Sequence, residues 1–473
     1  MESTFVIIGG GISGVTCAKS LAFLSPEEST LLITSNSLIK VVTNVVPLGK
    51  VSMQLNISKD SSVSLTSDNP SIKILNETVR RIDPESKTLE TESKKLIKFK
   101  KLCICTGARP RLICEDNPLV LGIRDTESVE NFSRRIPEAR RIVVVGNGGI
   151  ATEIVYKIKN VEIVWVIKDR HISATFVDPG AAEFFQSKLS REESSSEHSK
   201  ENINFCKRIK YTATKMGKSK EGVTGAALGP DWHQVFAPEG LENSPSKVEI
   251  EYECEVSRVM TPEAAGSTGW PVFAELTNGK IVGCDFIVSA TGVTPNTDII
   301  GLEGIEKSED GGLLVDWKLE TSCEDVYAAG DACTANWELS DHWFQMRLWT
   351  QAYQMGCYAA KSMVSTLRSE HFLQDFSFEL FTHVTRFFGY KIVLLGLYNG
   401  QKLSGDYEIL LRMTKDEEYV KLVVKGGKLQ GAVLIGETDL EEVCENLILN
   451  QLDVSIYGED LLDPNIDIED YFD

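Results

Sequence analysis

Two glycine-rich turns, each preceded by a short apolar run and followed by a helical stretch, occur in the first third of the sequence. The first apolar run is 5–8 and its turn is 9–14; the second run is 142–145 and its turn is 146–151. A continuous apolar run is typical of a parallel strand buried on both faces, and strand, turn and helix together open a βαβ nucleotide-binding unit. The sequence therefore predicts an α/β fold with two Rossmann-like dinucleotide-binding domains.

The first turn has the spacing of a pyrophosphate-binding loop. Gly9 permits the tight turn, Gly11 lets the backbone approach a pyrophosphate, and Gly14 lets the helix pack closely on the strand. Ser13 lies within the same turn. A pyrophosphate would then meet backbone N–H groups at a helix N-terminus.

The end of the following strand lacks the acidic residue that such a loop normally has about 20 positions further on. Thr34 and Ser35 occupy this place. A hydroxyl forms a weaker hydrogen bond to a ribose than a carboxylate does. Nucleotide binding is still expected, with the ribose contact left open.

The second turn matches the pattern GxGxxA, and its strand end is basic. Lys168 is followed by Arg170 and His171, and we assign no carboxylate to this strand end. Basic groups at this place can accommodate the 2′-phosphate of NADPH. A solvated basic loop is the alternative, so the prediction is NAD(P)H with NADPH favoured.

Three further segments, taken together with the two turns, make the prediction of function more specific. They are 105–108, 290–296 and 321–331, the last of which ends in small residues and Asp331. Small residues allow a close approach of the backbone to a ligand, and a carboxylate can accept hydrogen bonds from ribitol hydroxyls. Together the motifs resemble the pyridine nucleotide-disulfide oxidoreductase superfamily of FAD flavoproteins. The resemblance covers residues 1 to about 365, and segments 345–352 and 463–467 carry a narrower likeness within the superfamily.

The resemblance implies a domain order. An FAD-binding domain is formed by 1–111 and 282–368 and is interrupted by an NAD(P)H-binding domain at 112–281. An insertion rich in Ser, Glu and Lys, at about 188–246, is expected to be flexible. Residues 369–473 are expected to form a C-terminal α+β interface domain with an acidic tail.

The resemblance also implies cofactor-binding residues in both turns and at neighbouring strand ends. They are Gly9, Gly11, Ser13, Gly14, Thr34, Ser35, Lys40, Thr106, Gly107, Arg109, Gly146, Gly148, Gly149, Ile150, Glu153, Lys168, Thr291, Gly292, Gly330, Asp331, Trp349 and Thr350. The flavin itself is expected to be the reactive group. Lys40 is the one catalytic candidate, because its charge near the flavin would raise the electron affinity of the ring; a solvated loop lysine is the alternative. No metal site is expected.

The cysteines depart from the superfamily pattern. Disulfide reductases of this superfamily have a CxxxxC pair after the second strand, but no cysteine occurs between Cys17 and Cys103. Thiol–disulfide exchange needs an attacking thiolate and a resolving partner close to the flavin. Cys333 is the nearest remaining thiol, and we interpret it as a packed small residue. The sequence therefore predicts hydride transfer from NAD(P)H to flavin N5, an acceptor such as oxygen or a quinone-like molecule, and no dithiol reductase activity.

Charge and hydropathy exclude several function classes. The net charge is −20, which disfavours direct binding to nucleic acid or to anionic membranes. No apolar run approaches the roughly 20 residues of a membrane span, and the N-terminus lacks a basic-then-apolar leader. The expected location is the cytoplasm, with the nucleus as a further compartment.

The C-terminal residues 457–473 combine seven carboxylates with apolar side chains. Such a tail either docks on a protein partner or remains a solvated tail. If the tail docks on a partner, a second hypothesis follows, in which the protein acts mainly as a binding protein rather than as an enzyme. In that hypothesis, the flavoprotein binds and protects a partner protein when NAD(P)H has reduced it.

Overall fold

The structure is a computed structural model that describes residues 1–124, 126–189, 206–213 and 248–463. The strands in chain order are β1 (Glu2–Ile8), β2 (Thr30–Thr34), β3 (Leu38–Pro47), β4 (Met53–Ser61), β5 (Ile72–Asn76), β6 (Val79–Asp83), β7 (Thr88–Thr91), β8 (Leu96–Ile104), β9 (Ala108–Pro110), β10 (Val120–Gly122), β11 (Arg141–Val145), β12 (Glu162–Val166), β13 (Cys206–Ala213), β14 (Val248–Glu251), β15 (Val256–Met260), β16 (Val272–Leu276), β17 (Ile281–Cys284), β18 (Phe286–Ser289), β19 (Val293–Pro295), β20 (Leu313–Val315), β21 (Val326–Ala328), β22 (Cys333–Ala335), β23 (Thr382–Phe387), β24 (Tyr390–Gly396), β25 (Tyr407–Thr414), β26 (Glu418–Lys425) and β27 (Lys428–Ile435).

The helices are α1 (Ile12–Leu24), α2 (Ser62–Asp68), α3 (Thr126–Arg135), α4 (Gly149–Lys157), α5 (Pro179–Leu189), α6 (Pro262–Ala265), α7 (Trp349–Leu367) and α8 (Glu441–Asn450). Short 3₁₀ turns occur at Ile136–Glu138, Gly330–Ala332, Phe376–Phe378 and Gly458–Leu462. No helix among these has both the length and the apolar character that a membrane crossing requires, in the part of the chain described.

The first sheet has the strand order β5–β2–β1–β8–β7–β6, and β21 pairs with β8. Strands β5, β2, β1, β8 and β21 run parallel. Helices α1 and α7 pack against each other and share one core with this sheet. Because parallel strands end at the same edge, the turns after β1, β2, β8 and β21 are brought together there.

The second sheet has the order β10–β18–β11–β12–β14, with every pair parallel. An antiparallel sheet of β15, β16 and β17 accompanies it. The expected return to the first unit at residue 282 is therefore too early, because β17 and β18 pair with strands of the second unit. The chain re-enters the first unit after Ser289, and the β9–β19 ribbon lies where the chain crosses between the units.

The third sheet is antiparallel, with the order β13–β25–β26–β27–β24–β23, and α8 packs on β27. Strand β13 lies inside the predicted insertion and pairs along its whole length with β25. No strand is predicted from the sequence within this insertion. The stretches 190–205 and 214–247 on either side lie outside the described residues.

The third sheet packs on the second unit through a shared aromatic core. Phe185 of α5 stacks on Phe388, with ring centroids 4.7 Å apart. The Tyr398 hydroxyl donates to the carbonyl of Thr175 at 3.1 Å. The predicted fold class, two Rossmann-like units with an α+β C-terminal unit, is confirmed.

Candidate functional site

The first glycine turn forms an open cradle at the N-terminus of α1. Gly9 has φ +119°, and a Cβ on it would overlap the carbonyl oxygen of Cys105. A Cβ on Gly14 would overlap the carbonyl of Gly9, so the helix lies directly against the turn. A Cβ on Gly11 would meet nothing within 4 Å. The turn is thus closed on its protein side and open where a ligand would approach its N–H groups.

This cradle opens into a cavity of about 710 Å³. Most of its walls come from the first unit: the turn after β1, the segments after β2, β5 and β8, and the residues around Asp331 and Trp349; Arg124 of the second unit also contributes. The predicted residues that line it are Gly9, Gly11, Ser13, Thr34, Ser35, Lys40, Thr106, Gly107, Arg109, Asp331 and Trp349. Residues separated by more than 300 positions therefore share one cavity.

Three predicted residues of this unit do not line the cavity but pack next to residues that do. Gly14 packs against Gly9, and Gly330, with φ +73°, packs against Ser13. The Thr350 hydroxyl forms a hydrogen bond with Nδ1 of His383 at 3.2 Å. Burial lowers the pKa of His383 to about 3, so its imidazole is neutral at physiological pH.

Arg124 is a charged cavity residue that was not predicted. It follows β10 of the second unit, and its guanidinium forms an ion pair with the carboxylate of Asp331. Lys40 donates from Nζ to the carbonyl of Arg124 at 3.4 Å. No local motif marks Arg124 in the sequence, because its contact depends on how the two units pack.

Glu77 was also missed. It lines the cavity after β5, next to the Thr34 strand end. Its carboxylate accepts from Ser93 at 2.5 Å and pairs with Lys95 at 2.5 Å. The hydrogen bond from Lys95 lowers the pKa of Glu77 to about 2, so the carboxylate stays charged. This end of the cavity has a carboxylate after all, although it follows a different strand.

The second glycine turn repeats the geometry of the first. Gly146 has φ +123°, and a Cβ on it would overlap the carbonyl oxygen of Ala290. A Cβ on Gly148 would meet nothing within 4 Å. The predicted residues Gly149, Ile150 and Glu153 form the first turns of α4 and are buried.

The rest of the second predicted set lies at nearby strand ends. Lys168 is exposed after β12. Thr291 and Gly292 follow β18, and the Thr291 hydroxyl donates to the carbonyl of Arg111 at 3.0 Å. All three lie at the carboxyl edge of the second sheet, as does the Gly146 turn.

A carboxylate at the end of β12 corrects the sequence-based interpretation. Asp169 lies between Lys168 and Arg170, and it was overlooked. Its Oδ2 accepts from Nδ2 of Asn147, in the glycine turn, at 2.8 Å. The spacing from the turn, about 20 residues, was the signal that could have identified it.

Cys105 is the one cysteine among the described residues that lines the cavity of the first unit. Cys333 is fully buried, burial raises its pKa to about 12, and its thiol donates to the carbonyl of Gly330 at 3.3 Å. Cys103 and Cys105 point to the same side of their chain segment, with sulfurs 3.5 Å apart, and the hydrogen bond with Cys103, together with burial, raises the pKa of Cys105 well above its usual value. Within the described residues, no three His, Cys, Asp or Glu side chains are placed to hold a metal ion.

A family model described as "Pyridine nucleotide-disulphide oxidoreductase" matches residues 3–220 and 237–356. The chain belongs to this family. The superfamily resemblance inferred from the motifs is thus confirmed. The narrower likeness is also supported: a Homo sapiens protein named "Pyridine nucleotide-disulfide oxidoreductase domain-containing protein 1" is 49% identical, over 99% of this chain and 98% of the relative.

Solved structures share the family fold at low sequence identity. A ferredoxin reductase from Rhodopseudomonas palustris is 20% identical, with a TM-score of 0.64, over 92% of this chain and 91% of that one. The water-forming NADH oxidase from Lactobacillus brevis, bound to NADH, is 15% identical, with a TM-score of 0.63, over 95% and 91% of the two chains. At these identities the likeness is one of fold.

Proposed function

We propose that this family member is an FAD-dependent oxidoreductase that takes hydride from a reduced nicotinamide coenzyme and passes electrons to an acceptor other than a disulfide. The acceptor is oxygen or a quinone-like molecule. The observation that carries the proposal is the pair of glycine turns, each open at its second glycine, Gly11 and Gly148. Two such turns in one chain fit one dinucleotide each.

The residues of the first cavity fit FAD. The open face of Gly11 suits a pyrophosphate, and the buried carboxylate of Asp331 suits ribitol hydroxyls. Asp331 is held in place from two sides, because Arg124 pairs with its carboxylate and Arg347 donates from Nε to its carbonyl at 3.1 Å. When bound, FAD supplies a flavin that accepts hydride at N5.

The chain's own contribution is orientation, charge and exclusion of water. Trp349 forms a buried wall of the cavity at the start of α7. Lys40 brings a positive charge to the same cavity, which favours negative charge on a bound group. Thr350 is fixed by the neutral His383, so the first turn of α7 has a defined position.

Asp169 supports NADH rather than NADPH as the coenzyme. A carboxylate at this strand end accepts hydrogen bonds from the ribose 2′-hydroxyl, and it repels a 2′-phosphate. Asn147 holds the Asp169 carboxylate against the glycine turn. The Asp169 carboxylate therefore reverses the predicted preference for NADPH, which was based on the basic residues alone.

Asp169→Ser is expected to lower kcat/KM for NADH by about 10-fold or more, because a charge-assisted hydrogen bond is lost. The value for NADPH should rise, since Lys168 and Arg170 remain. Steady-state rates with each coenzyme measure both effects. Arg170→Ser is the control and should leave NADH turnover unchanged, because Arg170 is 85% exposed. A wild-type enzyme that uses NADPH better than NADH would contradict this assignment.

Cys333→Ala is expected to leave the rate of flavin reduction by NADH within about 2-fold of wild type, because a buried thiol with a raised pKa is a poor nucleophile. Stopped-flow absorbance measures the rate. Turnover on a dithiol or disulfide substrate that disappears in this variant would show that the acceptor proposal is wrong.

The second hypothesis, binding and protection of a partner by the reduced flavoprotein, depends on the acidic tail. Residues 464–473 of that tail lie outside the described residues. The hypothesis stays a prediction. Pull-downs with and without NADH, using the full chain and a chain ending at residue 456, test it: capture that needs neither NADH nor the tail argues against it.

A further inference from the structure

A two-stranded ribbon, β3–β4, stands where the family's disulfide reductases are expected to have redox cysteines. Its first strand is anchored in the first unit: the Lys40 amide donates to the carbonyl of Gly10 at 3.1 Å, and Ile39 and Val41 lie in the first core. Lys40 of this strand lines the cavity. The position of the ribbon therefore affects one wall of the proposed FAD site.

The second strand of the ribbon covers another wall. Leu55 and Ile57 of β4 are buried in a small cluster with Trp349, and Met53 and Tyr353 pack at its margin. Trp349 lines the cavity from the other side. The ribbon and Trp349 thus stabilise each other's position.

The turn that joins the two strands is held by the C-terminal unit. Glu445 of α8 accepts from the amides of Val51 and Ser52, one on each carboxylate oxygen, at 2.8 Å each. Glu445 is 0% exposed, and both amides belong to buried residues. A Cβ on Gly49 would lie 2.5 Å from Oε2 of Glu445, so the turn fits closely around the carboxylate.

This contact satisfies a buried carboxyl group. Among the described residues, Glu445 forms no ion pair, so its two oxygens are stabilised by the backbone N–H groups of the turn. Nearby, Leu48 packs against the core of the C-terminal unit. Removal of the carboxylate would leave two buried N–H groups without partners and would release the turn.

We propose that Glu445 is a positioning residue of the oxidoreductase site. It fixes the turn of the ribbon, and through the ribbon it sets the positions of Lys40 and Trp349 in the cavity. The C-terminal unit of the same chain thereby takes part in cofactor binding without touching the cofactor. This inference rests on the proposed function, because it assigns the cavity to FAD.

The test compares wild type with Glu445→Ala, Glu445→Gln and the control Glu442→Ala, which changes an exposed residue of the same helix. In Glu445→Ala, hydrogen exchange of the Val51 and Ser52 amides should be about 10-fold faster or more. Cleavage by trypsin after the exposed Lys50 should accelerate. FAD should dissociate about 10-fold faster, and the visible circular dichroism of the bound flavin should change.

Glu445→Gln keeps one acceptor oxygen and should give intermediate values; it also serves if the alanine variant does not fold. Exchange in the distant strand β11 should be unaltered, which separates loosening of the ribbon from general destabilisation. Protected Val51 and Ser52 amides in Glu445→Ala, or an unchanged FAD dissociation rate and flavin spectrum, would overturn the inference. A wild-type chain that binds no FAD would instead overturn the proposed function.

Discussion

Gly11→Val is expected to give a folded protein that binds FAD at least about 100-fold more weakly than wild type. Gly11 has φ −78° and ψ −178°, which any residue adopts. The new side chain would enter open space, so it should not disturb the fold. It would occupy the place where a pyrophosphate must approach the backbone. The absorbance of the purified protein at flavin wavelengths and its Tm measure the two expectations.

Gly148→Val is the matched variant in the second turn. Its φ of −89° and ψ of −176° are nearly those of Gly11, and its Cβ position is equally open. This variant should keep FAD but lose flavin reduction by NADH. Gly9→Ala is a different case, because φ +119° and the overlap with Cys105 should impair folding. A Gly11→Val protein that stays fully loaded with FAD would show that the first cavity is misassigned.

Asp178→Ala should destabilise the contact between the second and third units by about 3–5 kcal/mol, because it leaves the buried Lys421 without its ion-pair partner. Asp178 pairs with Lys421, which is 2% exposed, and accepts from the Tyr419 hydroxyl at 2.9 Å. It also accepts from the amide of Ala181 at 3.0 Å, at the start of α5. Denaturation midpoints in urea measure the loss.

Two controls distinguish the effect of an unpaired buried charge from the effect of losing a carboxylate in general. Asp178→Asn combined with Lys421→Met removes both charges and should recover most of the stability. Glu253→Ala breaks the exposed pair with Arg170 and should cost less than about 1 kcal/mol. A single Asp178→Ala variant as stable as the double variant would contradict the prediction.

The same pair predicts a pH dependence. Burial opposes ionisation of Asp178, but the charge of Lys421 and three hydrogen bonds outweigh it and lower the pKa below its usual value. A carboxyl whose folded pKa is lowered contributes stability above its unfolded pKa, and this stability is lost as the pH falls through the folded value. The difference between wild type and Asp178→Asn should therefore be large at neutral pH and shrink in acid, as urea midpoints at several pH values would show.

The fold was predictable where the sequence is locally unambiguous. Residues 5–8 and 142–145 are continuous apolar runs because their strands are covered on both faces, and each is followed by a turn with a glycine at positive φ. The largely apolar stretches 392–396, 420–424 and 432–435 likewise lie in strands β24, β26 and β27. These features depend on neighbours in sequence.

The missed features depend on partners distant in sequence. Strand β13 has Lys207, Arg208 and Lys210 close together between polar stretches, yet it pairs with β25 at the edge of the third sheet. Charged residues are common on such edges, where they discourage further pairing. The contact of Arg124 with Asp331 and that of Glu445 with the ribbon turn each join different units. No local pattern predicts such pairs.

Anaerobic titration of the purified, FAD-loaded protein with NADH, followed by flavin absorbance, tests the central claim most directly. We expect the oxidised flavin band to disappear after about one equivalent of NADH, since one hydride reduces one flavin. NADPH should act more slowly, because the proposed coenzyme site would place the Asp169 carboxylate close to the 2′-phosphate. A protein that takes up no FAD, or whose bound flavin neither coenzyme bleaches, would contradict the claim that the two turns bring a nicotinamide and a flavin together.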